Sequence, residues 1–170
     1  MPNWTKNEVT FTSVKTTNIK KIKEIFEKGS PFTQIIQEPK WDEIPLKGDE
    51  MSNNFEKKPL GIKGELPIVE DHKLWNGEIM KMLKFKSTNV QDTRWYDWRW
   101  DAWGTKWDVP KDDIEICDVC NGEIFIEFST AWSAPYPIYK KLKEMFKDVN
   151  IEWYAQDEDW NEENQGGYLK

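Results

Sequence analysis

The segment 113–129, D-I-E-I-C-D-V-C-N-G-E-I-F-I-E-F-S, constrains the fold most, because it sets Asn121-Gly122 between two strand-like runs. Asn-Gly is the favoured pair of a two-residue type I′ hairpin, in which both turn positions need φ > 0. With those two residues as the loop, Cys120 faces Glu123, Val119 faces Ile124, Cys117 faces Ile126 and Glu115 faces Phe128. One face of the ribbon is then apolar and mostly free of charge, with Cys117, Val119, Ile124, Ile126 and Phe128. The other mixes Ile114, Ile116 and Phe125 with Asp118, Glu123 and Glu127.

Periodicity extends the pattern in both directions. Residues 7–14, N-E-V-T-F-T-S-V, alternate and are β-branched, which predicts a strand with Val9 and Phe11 on one face. Thr16, Thr17 and Asn18 are cap-type residues ahead of a helical stripe of Ile19, Ile22, Ile25 and Phe26, and Gly29 stops it. Beyond the hairpin, Ala134-Pro135-Tyr136-Pro137 turns into a helix over 137–147 with Ile138, Leu142, Met145 and Phe146 on one side. Pro137 is tolerated there because a first-turn N–H has no intrahelical partner. Residues 149–155 supply a last strand.

The order is β-α, a long excursion, then β-β-α-β, which predicts an α+β, ferredoxin-like βαββαβ sandwich as a single domain over 1–170. Its interior is expected to hold Val9, Phe11, Ile22, Phe26, Cys117, Ile124, Ile126, Phe128, Leu142, Phe146 and Ile151. The excursion, about 30–112, is a tryptophan-rich insertion between the first helix and the second strand. A structureless loop of that length is improbable, so it is expected to fold onto the core. Within it, Asp71 or Asn76 is read as the start of a helix carrying Ile79, Met80, Leu83 and Phe85. Residues 156–170 form an acidic tail, with Asp157, Glu158, Asp159, Glu162 and Glu163 against Lys170, and read as a solvated end.

The most unusual tract is Thr93-Arg94-Trp95-Tyr96-Asp97-Trp98-Arg99-Trp100-Asp101-Ala102-Trp103-Gly104, which holds both arginines of the chain. As a helix capped by Asp92 or Thr93 and stopped by Gly104, it puts Tyr96, Trp100 and Trp103 on one face and turns Arg94, Asp97, Trp98 and Asp101 elsewhere. As a strand it would group Tyr96, Trp98 and Trp100 instead. The helix is preferred. Most of the 11 tryptophans are expected to order the insertion by packing, with one or two left for binding.

Several chemistries find little support. The net charge of −7 disfavours nucleic acid, whose non-specific affinity comes from cations neutralising phosphates. An RNA-type sheet face would need Phe125 to stack bases, yet it lies between Glu123 and Glu127. Cys117 and Cys120 are three apart on a strand and point to opposite faces, so neither metal nor disulfide is expected there, and no cofactor is expected. His72 has no nucleophile or orienting partner in sequence reach, and no catalytic residue is assigned. With no apolar run of membrane-spanning length and no signal-like N-terminus, a cytoplasmic protein without a membrane partner is expected.

Three stretches carry a resemblance: Met1-Pro2-Asn3-Trp4 with Asn7, then Trp95-Tyr96-Asp97-Trp98-Arg99 with Trp103-Gly104-Thr105-Lys106-Trp107-Asp108, and Phe128-Ser129-Thr130-Ala131-Trp132-Ser133-Ala134-Pro135. Together they resemble the YubB-type ferredoxin-like proteins of phages and plasmids. Thr5 stands where that family has a cysteine. The resemblance implies a ferredoxin-like core and a mobile-element origin, and it carries over no catalytic residue.

The functional expectation is a non-enzymatic protein-binding module of a phage or mobile element, an inhibitor of a host defence system whose partner is a host protein. The alternatives are an enzyme acting on a small molecule and a nucleotide- or nucleic-acid-binding protein. The binding residues expected are Arg94, Trp98, Arg99 and Lys106, since arginine and tryptophan dominate interface hot spots. Lys20, Lys21, Lys23 and Lys28 are read as the solvated side of an amphipathic helix. Oligomeric state is left open.

Overall fold

The computed structural model describes residues 3–157 and 166–170. In chain order its elements are β1 (Trp4–Thr12), α1 (Thr16–Glu27), α2 (Pro31–Ile35), β2 (Ile68–Lys73), β3 (Ile79–Phe85), β4 (Val90–Gln91), α3 (Arg94–Trp103), β5 (Ile114–Cys120), β6 (Glu123–Ala131), α4 (Tyr136–Met145), β7 (Asn150–Asp157) and β8 (Gly167–Tyr168). They form two compact units, one of Met1–Gln37 with Arg99–Lys170 and one of Glu38–Trp98. The division falls inside α3. Of the acidic tail, Glu158, Asp159, Glu162 and Glu163 lie outside the described residues, as do Met1 and Pro2 of the opening motif.

The first unit is ferredoxin-like. Its sheet runs β5-β6-β1-β7-β8, with β1 antiparallel to both β6 and β7. Leaving aside the two-residue β8, the βαββαβ strands lie in the order second, third, first, fourth. One face of the sheet is apolar because alternate residues of each strand point the same way. Val9, Phe11, Ile124, Ile126, Phe128, Ile151 and Trp153 are buried there, as are Ile19, Ile22 and Phe26 of α1 and Ile138, Tyr139 and Leu142 of α4. Phe128 is central: its ring centroid lies 5.8 Å from Phe26, 6.1 Å from Phe32 and 5.7 Å from Trp153.

The β5–β6 hairpin forms in a different register from the one its turn residues suggest. Cys120 does pair with Glu123, but Asp118 then pairs with Ile124, Cys117 with Phe125, Ile116 with Ile126 and Ile114 with Phe128. Val119 is the extra residue of a bulge, and a one-residue slip exchanges the two faces of a strand. Ile114 and Ile116 are therefore partly buried on the core side, while Cys117, Val119 and Cys120 are exposed. Placing Cys117 in the core is corrected. The turn is not type I′, since Gly122 has φ +99° and Asn121 does not have positive φ. Gly122 is pressed against the end of β1, where its carbonyl accepts the Ser13 N–H at 2.9 Å and a Cβ would sit 2.6 Å from the Ser13 oxygen.

Smaller corrections follow from local packing. Lys15 occupies the α1 N-cap without a side-chain hydrogen bond, in place of the Thr16–Asn18 group. On α4, Met145 is exposed and Tyr139 takes the inward position.

The second unit holds a sheet in the order β2-β3-β4 and a small core of Leu46, Leu60 and Phe85 with Val90 against it. The helix expected from Asp71 or Asn76 is instead the β2–β3 hairpin, with His72 opposite Met80 and Val69 opposite Leu83. Its turn closes through Gly77 N–H to the Leu74 carbonyl at 3.0 Å and Leu74 N–H to the Glu78 carbonyl at 2.7 Å, with Gly77 at φ +88°. That is the pattern of a turn followed by a left-handed glycine. Asn76-Gly77 is the same dipeptide that marks the other hairpin. Among the described residues, no helix is long and apolar enough to cross a membrane.

On the outer face of the first unit's sheet, Glu127 pairs in register with both Glu8 and Glu115, so three carboxylates lie in one row. Lys6 bridges two of them, at 2.9 Å from Glu8 and 3.0 Å from Glu127. Hydrogen bonding to Glu8 and then Glu127 raises the Lys6 pKa above its ordinary 10.5. A raised lysine pKa means stabilisation present below that value and lost as pH rises through the folded-state pKa. Lys6→Met should therefore lower stability by about 0.5–1 kcal/mol at neutral pH, the range for exposed cross-strand charge pairs. Melting curves should show the gap from wild type closing above the lysine range; a gap independent of pH would remove the ion-pair explanation.

Candidate functional site

The stretches Trp103–Asp108 and Phe128–Pro135 dock on one another in the first unit. Trp103 is 1% exposed, donates its indole N–H to the Ile36 carbonyl at 3.0 Å and packs on Phe32. Gly104 ends α3 at φ +77°, where a Cβ would lie 2.7 Å from Pro137 Cδ, so glycine serves both the backbone angle and the close approach. Thr105 Oγ1 donates to the Ala131 carbonyl at 2.7 Å, and Ser133 Oγ donates to the Gly104 carbonyl. Asp108 accepts the backbone N–H groups of Phe32 at 2.9 Å and Thr33 at 2.8 Å, which satisfies the start of α2.

A buried polar chain continues this frame into the sheet. Trp153 Nε1–H donates to Asn7 Oδ1 at 3.0 Å, Asn7 Nδ2 to Thr130 Oγ1 at 2.9 Å, and Thr130 Oγ1 to the Ser133 carbonyl at 2.8 Å. Among the described residues no buried side-chain nitrogen or oxygen lacks a partner. A satisfied buried network fixes one arrangement of its neighbours.

What the frame presents outward is a pair of indoles. Val9 and Phe11 point inward on β1, so Trp4 points outward, and it is 40% exposed. Trp107 is 37% exposed, with its ring centroid 6.1 Å from that of Trp4. The Lys106 ammonium sits 4.7 Å from the Trp107 ring centre. Between the indoles is a pocket of about 160 Å³, closed by Pro110 and Ala131. It adjoins an open cleft of about 490 Å³ whose lining includes Trp4, Asp112, Asp113, Glu115 and Glu127.

The four residues expected to bind fall into two pairs. Arg99 and Lys106 belong to the first unit, where Arg99 Nη1 reaches the Lys106 carbonyl at 3.5 Å and its guanidinium lies 5.0 Å from the Trp103 ring centre. Arg94 and Trp98 belong to the second unit and meet on Trp41, with the Arg94 guanidinium 5.3 Å from that ring and the Trp98 ring 6.3 Å from it. Arg94 is 9% exposed and bound to Asp92, itself 3% exposed, through Nε–Oδ1 at 3.0 Å and Nη2–Oδ2 at 2.8 Å. It also donates to the Trp41 carbonyl at 3.2 Å and stands 5.4 Å from the Phe85 ring. The α3 helix itself is as expected, with Trp103 inward. Arg94 does not turn outward, however, because it neutralises a buried carboxylate.

Sequence reasoning gave no binding role to Trp4, Trp107, Asp112 or Asp113, although Trp4 and Trp107 stand in the stretches that carry the resemblance. Strand parity on β1 was the available signal for Trp4; the others required the tertiary frame. His72 lies on the exposed β2–β3 hairpin, in a hollow of about 230 Å³ with Glu70 and Lys84, and Lys84 bridges Glu70 at 3.3 Å. No side-chain hydrogen bond reaches its imidazole among the described residues, where no group of three or more His, Cys, Asp or Glu is placed to hold a metal ion.

A family model described as the ferredoxin-like domain in Api92-like protein matches residues 102–167, the stretch from the end of α3 to the start of β8. No curated protein and no solved structure matches the chain.

Proposed function

We propose that this chain is a non-enzymatic protein-binding module of a phage or other mobile element, of YubB type, that inhibits a host defence system in the host cytoplasm. The observation that supports it is the Trp4–Trp107 pair: two large, partly exposed indoles held by a saturated buried frame beside an open cleft. Tryptophan is enriched at hot spots, and a preorganised side chain forfeits little entropy on binding. The mobile-element origin rests on the three stretches noted above, each of which contributes to this frame or to its indole pair. Arg99 and Lys106 belong to the same surface, and Arg94 supports the second unit from within.

The carboxylate row Glu8, Glu115 and Glu127 disfavours a phosphate backbone on the sheet face. The enzyme reading draws on the hollow at His72, but Glu70 is engaged by Lys84 and, among the described residues, no side-chain hydrogen bond orients the imidazole as general base chemistry needs.

Affinity capture from host extract tests the proposal. Wild type should recover one stoichiometric protein, and Trp107→Ala, shown by circular dichroism to be folded, should lose it. Recovery of the same protein by Trp107→Ala, with loss instead in Lys20→Ala/Lys21→Ala, would move the binding surface to α1.

A further inference from the structure

We infer that the Trp4–Trp107 cleft takes a lysine or arginine side chain from an extended basic segment of the partner. This rests on the protein-binding reading and adds the chemistry of what is bound.

Indole faces attract cations because the ring quadrupole is negative above and below the plane. Trp107 already acts this way within the chain, since the Lys106 ammonium lies 4.7 Å from its centre. The pocket between the two indoles is about 160 Å³, a size suited to one side-chain end rather than a folded surface. Its surroundings select charge. Both oxygens of Asp108 are used at the start of α2, and Glu127 is bridged by Lys6, but Asp112, Asp113 and Glu115 are exposed and form no ion pair among the described residues. Three carboxylates outside any ion pair among the described residues, beside two indoles, outnumber the Lys106 ammonium and fit a cation with an apolar stem, and repel an acidic or phosphate-bearing group.

The ligand's source follows from β5. This strand is an edge of the sheet, bonded to β6 on one side only. No backbone hydrogen bond reaches its other side among the described residues. Asp112, Asp113 and Glu115 stand at its beginning, next to the cleft. An extended peptide can satisfy the outward N–H and C=O groups of β5 while its cationic side chains reach the carboxylates and the indole pocket. A free polyamine carries the charges but cannot add a strand.

The test is titration of the full chain, followed by fluorescence anisotropy, with a labelled ten-residue peptide alternating lysine and threonine. The same peptide with glutamate for lysine is the control, and spermidine is the competitor. The lysine peptide should bind and the glutamate peptide should not. Affinity should fall at least tenfold in Asp113→Asn/Glu115→Gln, whose exposed positions leave folding intact, and also in Trp107→Leu. Absence of binding, or binding that both variants retain, would overturn the inference. So would displacement by spermidine at equal concentration, which would assign the cleft to free polyamines. If the lysine peptide fails while Trp107→Ala still loses its captured protein, the binding module stands and only the cationic ligand falls.

Discussion

Phe128→Ala should destabilise the first unit by about 3–5 kcal/mol, the range for truncating a buried phenylalanine. The position is 2% exposed, and three aromatic rings close around it from α1, α2 and β7. Removing the ring leaves a void bounded by rigid side chains that cannot collapse into it, so both the transfer term and the cavity term should be felt. With a urea slope of about 2 kcal/mol/M, the midpoint should drop by roughly 2 M. That is a large fraction of the roughly 5–15 kcal/mol that holds a typical protein folded. An unchanged midpoint would mean that β6 does not present Phe128 to the core, and would undo the register from which the rest of the sheet is built.

The second large effect concerns Arg94. Its loss as Arg94→Met should cost about 3–5 kcal/mol, because Asp92 would be left buried with no cation beside it. Arg94→Lys should recover little, since an ammonium cannot reproduce the forked contact through Nε and Nη2. Replacing both partners, Arg94→Met/Asp92→Leu, should be less damaging than Arg94→Met alone, because it removes the stranded charge along with the pair. The double-mutant cycle, read by denaturation, measures this coupling. Strict additivity, or an Arg94→Met protein as stable as wild type that fails to capture its partner, would return Arg94 to the contact surface.

These two residues also show why neighbouring parts of the chain differ in what can be read from them. Ile124, Ile126 and Phe128 recur at every second position, and that spacing is a local property that survives whatever the strand packs against. The same holds for Ile19, Ile22 and Phe26 on α1 and for the order of elements, which together were enough to specify a ferredoxin-like unit. Arg94 has no such local signature. A guanidinium in a polar, aromatic helix reads as outward-facing until a buried carboxylate two residues earlier is found to need it.

The β5 register and the β2–β3 hairpin mark the same limit in strands. Asn121-Gly122 correctly announces a turn, but whether it is type I′ with even pairing or a turn with a bulge depends on how it seats against the rest of the sheet. Here the Gly122 carbonyl accepts the Ser13 N–H, and the bulge at Val119 turns Ile114 and Ile116 inward in place of Cys117. At 79–85, I-M-K-M-L-K-F, the apolar residues match a helical stripe and a strand almost equally, and the Asn76-Gly77 turn decides for the strand. The Trp4–Trp107 pair was the least legible of all. Sequence alone determined that β1 has an outward face and that Trp103–Asp108 is distinctive. That Trp4 and Trp107 meet beside an edge strand and unpaired carboxylates follows from hydrogen bonds between segments more than twenty residues apart, such as Thr105 with Ala131, whose partners no local pattern can name.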